Sequence, residues 1–547
     1  MKKINIILLF ALTLFFSCDL DRYPETTFTD NAYWVSESDL RAACNRLYWN
    51  ETAWGFDFRA DDMFSGQSKN STSNGSRMPS ARSDDWKRPY KAIGVANNII
   101  AKVTDPANFS SVPQKVLNRY ISEAYFFRAK QYYTLVSKYG AVPLLLTPVK
   151  DVDDPVLKMA KSDRETVVNQ MYKDLDSAAK YLPTHSALPK NDWGRVTRSA
   201  ALALKARIAL YEGTRSKFHN DGRDYASHLR KAIGACDTII AEGQHDLYSN
   251  YTDLFQYVGE GPDNKENIHV RIYGVNYENK IVTRAVPHEY CGITRKMVDM
   301  YLCADGLPWG KSTYTIPVEN QTTYNEIFQN RDPRMTISLY QIGETAYKGN
   351  FSAGNNLGLT CFSSKKGFVA KDFEEKTSTL DLIEIRYAEI LLILAEATYE
   401  LNGSISDALL EETINKLRER AGFRDASNNV VKLTNAFVSA NNLDMRTEIR
   451  RERTVELAFE NLRYDDIMRW KTAETELPMD IVGAKYTNTS DFGGNAESDY
   501  ANLDAKKQLI LETGRVFNPL RDYLYPIPTT DIYLSDNAIE QNPEWSK

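Results

Sequence analysis

Three stretches of the chain set flat aromatic rings beside carboxylates and guanidiniums. Arg82–Tyr90 reads RSDDWKRPY and gathers Trp86, Tyr90, Asp84 and Asp85 just ahead of a helical pattern. Trp309 follows ADGLP in a Gly/Pro turn, with Tyr290 and Tyr301 nearby in sequence. Trp54 lies within a few residues of Phe58 and Asp61. Aromatic faces stack on apolar C–H surfaces such as those of a sugar ring, and Asp, Asn and Arg side chains can satisfy hydroxyls around the rim. The chemistry on offer is recognition of a polyhydroxylated ligand. For Trp86 the alternative is packing, with the indole anchoring the following helix in the core.

Catalytic and metal-binding patterns are missing from the sequence. No G-x-S-x-G elbow, H-E-x-x-H pair, Walker loop, G-x-G-x-x-G turn or EF-hand loop occurs, so no catalytic residue, metal or cofactor is expected. The six histidines contain no i, i+4 pair. A glycosidase needs two carboxyls about 5 to 9.5 Å apart across the sugar. Glu389 and Glu396 on one helix would stand about 10.5 Å apart along its axis. Asp61-Asp62 or Asp84-Asp85 could supply such a pair in three dimensions, which keeps a surface glycoside hydrolase as the less favoured alternative. Net charge is −6 with no basic cluster of the kind that tracks phosphates, which argues against nucleic acid. The six cysteines, at 18, 44, 236, 291, 303 and 361, include no C-x-x-C and form no disulfide framework.

These groups need elements to hold them. Residues 1–17 carry Lys2 and Lys3 and then an apolar run, the pattern of a secretory signal ending at Ser17-Cys18. The small residue before Cys18 resembles a lipobox, which implies cleavage there, lipidation of the Cys18 thiol and tethering to a membrane. Residues 18–33 read as a flexible leader, and loss of Lys2 and Lys3 takes the charge from −6 to −8. Helical periodicity then predicts helices over 34–48, 89–103, 113–139, 164–181, 225–241 and 446–470. An internal repeat registers on Ala129, Ala206 and Ala395. Each alanine has a large residue four later (Tyr133, Leu210, Tyr399), a glycine beyond it and a second helical pattern after that. Such pairs resemble tetratricopeptide units, in which a small residue lets helices approach closely. The third repeat, IEIRYAEILLILAEATYELNG from Ile383, is apolar except for one strip of Arg386, Glu389, Glu396 and Glu400. It predicts a central buried helix whose charged edge is partly solvated or salt-bridged. Residues 244–381 interrupt the array as an insertion rich in Asn, Gly, Thr and Tyr, with strand-like runs at 268–273 and 281–286. The fold class is therefore mostly α: a tetratricopeptide-like scaffold over 34–243, then a C-terminal region over 244–547 that includes the insertion and its short strands.

Several long motifs, in order, resemble the SusD/RagB family of Bacteroidetes outer-membrane lipoproteins. They are SCDLDRYPETTFTD (17–30), GRVTRSAALALKARIALYEG (194–213), NRDPRM (330–335), RYAEILLILAEA (386–397), INKLRERAG (414–422), IRRERTVELAFENLRYDDIMRW (449–470) and YLYPIPTTDIYLSDNAIEQNPEW (523–545). The resemblance implies an α-rich body of four tetratricopeptide-like units supporting an irregular second half. It also implies a lipid-anchored subunit on the cell exterior that captures a glycan and hands it to a SusC-like TonB-dependent transporter. A RagB-like capture of peptides is the alternative ligand class. Trp86 lies where the family's stacking tryptophan is commonly found, while Trp193, Trp470 and Trp545 fall inside structural motifs.

Overall fold

The computed structural model describes residues 33–49, 56–274, 290–346, 349–355 and 358–545. Cys18, Trp54 and the strand expected over 281–286 lie outside the described residues.

The first helices pack on one another in sequence order. They are α1 (Glu37–Trp49), α2 (Asp84–Thr104), α3 (Gln114–Tyr139), α4 (Arg164–Tyr181), α5 (Arg198–His219) and α6 (Tyr225–Ala241). Oxygen side chains cap three of them: Asp163, Thr197 and Asp224 accept from the first-turn amides of α4, α5 and α6. The helices pack in consecutive pairs, α3 on α4 and α5 on α6, as the repeat predicts. Ala129, Ala206 and Ala395 are all fully buried at the crossings. The three glycines differ in role. Gly140 and Gly403 close their helices at φ +76 and +71. Gly213 lies inside α5, where a Cβ would come within 2.8 Å of Leu229 on α6, so it sets the approach of the pair rather than ending a helix.

The central element begins later than its apolar run. Leu382–Arg386 is a strand (β4) paired antiparallel with Asn267–Arg271 (β2), and helix α8 starts at Tyr387 and runs to Asn402. Between β2 and α8 come β3 (Cys291–Ile293), paired antiparallel with β1 (Met63–Ser65), and the short helix α7 (Arg295–Met300). The charged strip is buried throughout: Arg386, Glu389, Glu396 and Glu400 are each at most 2% exposed, so of the two expected readings the edge is salt-bridged and not partly solvated. Every carboxylate meets a cation from another element. Glu389 takes Arg207 at 2.6 Å, Glu396 takes Arg469 at 2.5 Å, and Glu400 takes Lys217 and Arg446 at 2.7 Å. Burial raises the Glu396 carboxyl, but Arg469 outweighs it and holds the group below the ordinary range.

After α8, a helical segment α9 runs from Asp407–Leu410 through a π turn at Glu411–Asn415 into Lys416–Arg420. The long helix expected over 446–470 is broken into α10 (Met445–Glu456) and α11 (Arg463–Arg469), with Phe459 and Asn461 at φ +65 and +62 between them. Arg453–Glu456 and Glu460–Arg463 are spaced for i, i+3 pairing along one helix, and neither pair forms. Arg453 pairs with Asp466, Glu460 with Arg386 and Lys366, and Arg463 with Asp61. Tertiary partners outcompete local ones because all these groups are buried and must be neutralised face to face. The result is one ionic network. Glu456 accepts from Arg334, Arg386 and Arg420, and Glu452 from Arg334 and Arg418. It ties α9, α10 and β4 to Asp332–Arg334 of the irregular half. A second apolar core lies beneath that half, built from Met63, Ile293, Met297, Tyr301, Phe328, Phe362 and Phe492 among others. The hairpin of β5 (Ile481–Lys485) and β6 (Gln508–Glu512) flanks it.

Candidate functional site

The β1–β3 register, Met63 opposite Ile293, carries Asp61-Asp62 alongside Thr294-Arg295. Thr294 fixes the junction: its hydroxyl donates to the Asp61 carbonyl at 2.7 Å and accepts from Met297 N at 3.2 Å, capping α7. A groove of about 550 Å³ opens here, walled by Asp61, Lys296, Asp299, Trp309, Glu476 and Asp480. Trp309 and Asp61, from two separate sequence clusters, thus line one site. The half-buried Trp309 is backed by the Arg331 guanidinium, 4.3 Å from its ring centre, with Arg295 at 5.9 Å. Arg331 is itself anchored by donating to the carbonyls of Ile327, Val298, Tyr301 and Leu302.

Asp61 is 3% exposed and accepts from Arg463 Nε and Nη2 and from Lys296 at 2.8 Å. Burial works against ionisation, yet Arg463 and Lys296 keep its carboxyl well below the usual range. The neighbouring Asp62 is also buried, and burial together with the Asp61 charge pushes it up to about 8. Asp61 is therefore an ionised carboxylate already engaged by two cations, suited to orienting Lys296 rather than to abstracting a proton. Lys296 also reaches Glu476, which links α7 to the opposite wall.

The other expected residues are placed elsewhere. Trp86 is 4% exposed on α2, with Tyr139 and Tyr90 at 4.9 and 5.1 Å. At that burial its ring presents no surface for a ligand to stack on, so the stacking role expected of it gives way to packing. Tyr90 is half-buried and donates to the Pro143 carbonyl at 2.9 Å. Asp84 and Asp85 point outward and pair with Arg88 at 2.8 Å and Lys138 at 2.7 Å. The indole and its neighbouring carboxylates thus lie on different faces of α2. Tyr290 is half-buried at the other end of β3, where its carbonyl accepts from Gly66, and it is not part of the Trp309 wall. Tyr301 is wholly buried.

A second groove, about 420 Å³, was not expected from the sequence. Trp49, Trp193, Ile272 and Tyr273 line it, together with Arg41 and Asn45. Trp49 is 75% exposed. Its signal was present, because it falls off the Leu40–Cys44–Leu47 stripe that α1 buries. Gly194 shapes the floor: at φ +87, a Cβ there would lie 2.3 Å from Ile272 Cγ1. Asp192 is held by Arg41 and Arg119 at 2.6 and 2.5 Å, and Arg195 by Glu123 at 2.7 Å.

Comparison with known proteins places this architecture. A SusD-like protein of Formosa agariphila is 24% identical over 582 aligned positions, spanning 99% of this chain and 100% of that protein. A SusD-like carbohydrate-binding protein from Bacteroides fragilis superposes with a TM-score of 0.75 at 24% identity, covering 92% of this chain and 99% of the other. A laminarin-binding SusD-like protein superposes at 0.63 with 19% identity, covering 93% and 100%. A family model described as starch-binding and associating with the outer membrane matches residues 32–210, and the SusD family model matches residues 263–545. With the second match spanning more than half its length, the chain belongs to the SusD family.

Proposed function

We propose that this protein captures oligosaccharide or polysaccharide at the outer surface of the outer membrane and delivers it to a SusC-like TonB-dependent transporter. Residues 1–17 act as its signal peptide, Cys18 as its lipid anchor and residues 18–33 as the spacer. The observation that carries the proposal is the Trp309–Asp61 groove on a SusD-family scaffold. It offers an aromatic wall backed by Arg331 and a rim of fixed charges, which is the equipment for stacking on a sugar and bonding its hydroxyls. The carbohydrate-binding and laminarin-binding relatives support the ligand class. Asp61, saturated by Arg463 and Lys296, supports binding without turnover. The test is affinity electrophoresis of the soluble protein lacking residues 1–18 against a polysaccharide panel, with Trp309→Ala alongside. Retardation by at least one glycan, lost in the variant, is the expected result. Retardation by none, with binding to peptides instead, overturns it.

A further inference from the structure

The charges around Trp309 are unevenly matched. Two guanidiniums, Arg331 and Arg295, lie within 6 Å of the indole centre, at 4.3 and 5.9 Å. One carboxylate hydrogen-bonds this pair of cations: Asp299 accepts from Arg295 Nε at 2.9 Å, while Asp332, next to Arg331 in the chain, is taken by Arg334. The four hydrogen bonds of Arg331 all go to neutral backbone carbonyls, which orient the cation without neutralising it. Arg295 lines the groove at 5% exposure, and its Nη1 is a buried donor with no acceptor among the described residues. A buried cationic donor left unmet costs free energy that an arriving acceptor would recover.

The excess is local to the Arg331–Arg295–Asp299 cluster beside Trp309: over the whole groove Asp480 offsets it in number, and the other acids are committed to their own cations. Asp61 is committed to Arg463 and Lys296, and Glu476 to Lys296. Arg451 is matched by Glu448 at 3.1 Å. Asp480 comes from the turn before β5 and is the one further acidic side chain on the wall.

We infer that the Trp309 end of this groove receives the anionic group of an acidic saccharide, with the sugar ring on the indole and the anionic oxygens on Arg295. The inference rests on the glycan-binding reading above and narrows it to polysaccharides that carry a carboxylate or sulfate. A guanidinium suits both anions through paired N–H donors. A neutral sugar would leave the cation excess as it stands.

The test uses matched polymers on the soluble protein: polygalacturonate against its carboxyl-reduced form, and a sulfated galactan against its desulfated form. The inference expects at least tenfold tighter binding to one charged member than to its neutral partner, with the polymer pair identifying which anion. Arg295→Gln is expected to bring the charged ligand down to the neutral level, while Trp309→Ala weakens both members. Equal affinity for charged and neutral members, with loss in Trp309→Ala, overturns the inference and leaves the glycan-binding reading intact. Binding of none of these four polymers overturns the inference, and the polysaccharide panel described above then decides the glycan-binding reading separately. If Arg295→Gln fails to fold, judged by circular dichroism, the wild-type comparison still decides.

Discussion

Arg386 meets Glu456 twice, donating to its carboxylate at 2.8 Å and to its backbone carbonyl at 2.7 Å. The contact joins the end of β4 to the last residue of α10. Glu456 also neutralises Arg334 and Arg420, so its removal takes a carboxylate from three buried cations at once, leaving Arg334 with Asp332 and Glu452, Arg386 with Glu266 and Glu460, and Arg420 with Glu266. Breaking a buried pair costs about 3–5 kcal/mol. Glu456→Ala should lose at least that much in urea unfolding, whereas the exposed-pair variant Asp84→Ala, which breaks the bond to Arg88, should lose less than about 1 kcal/mol.

Trp86 and Trp309 should separate stability from binding. Trp86→Ala opens a cavity beside Tyr139 and should cost about 3–5 kcal/mol in stability, with glycan retention unchanged at temperatures where the variant is folded. Trp309→Ala should cost little stability and weaken retention by about 1–2 kcal/mol, roughly 5- to 30-fold. Lost retention in folded Trp86→Ala, with retention kept in Trp309→Ala, would move the site to the α2 cluster.

Acid should destabilise the fold through two desolvated histidines, the half-buried His219 and the buried His245. Burial, reinforced by Arg215, lowers His219 to about 3, and burial lowers His245 to about 4. Both are neutral in the folded state, while an unfolded histidine titrates near 6.5. Between those values the unfolded chain binds more protons, so the contribution is complete above about pH 6.5 and shrinks as pH falls. At pH 5 the loss is about 1–2 kcal/mol for each histidine. Urea midpoints at pH 7 and pH 5 should show this drop, and His219→Gln should reduce it.

Gly194→Ala should damage the floor of the second groove. The residue stands at φ +87, and the new methyl would press on Ile272. A destabilisation of about 2 kcal/mol or more is expected. Ile272→Ala in the same chain should relieve the clash but not the backbone strain, giving a partial recovery in thermal melts.

Cys18→Ala should leave the protein soluble and unanchored. Fractionation of cells should move it from the membrane to the soluble fraction. Persistence in the membrane fraction would count against the lipobox.

The helical scaffold was legible because its signals are local. Caps at Asp163 and Asp224, the 3.6-residue periodicity and the buried alanines of each repeat lie within a few residues of what they control. The boundary at Tyr387 was hidden, since Leu382–Ile385 is as apolar as the helix and only its pairing with β2 makes it a strand. The break at Phe459–Asn461 was hidden too, because buried arginines from distant segments draw Glu456 and Glu460 away from helical partners. In the site, the Gly/Pro turn flagged Trp309. The juxtaposition of Asp61 with Trp309 depends on the β1–β3 register, which no local pattern encodes. Trp86 misled because an indole beside two aspartates reads the same whether it faces a ligand or the core; only Tyr139, 53 positions away, settles its side.

Helices built on interchangeable alanine-and-aromatic repeats invite misregistration, since one apolar turn fits much like the next. On α8, Glu389, Glu396 and Glu400 meet cations from α5, α10 and α11, at separations that no other helix in the array reproduces. Sliding α8 by one turn, about 5.4 Å, would carry one of Glu396 and Glu400 onto the other's cations and leave the remaining two carboxylates without theirs, each at a cost of several kcal/mol. The three glutamates therefore work as an address code: they add little to the depth of the native well and raise the floor of every neighbouring one.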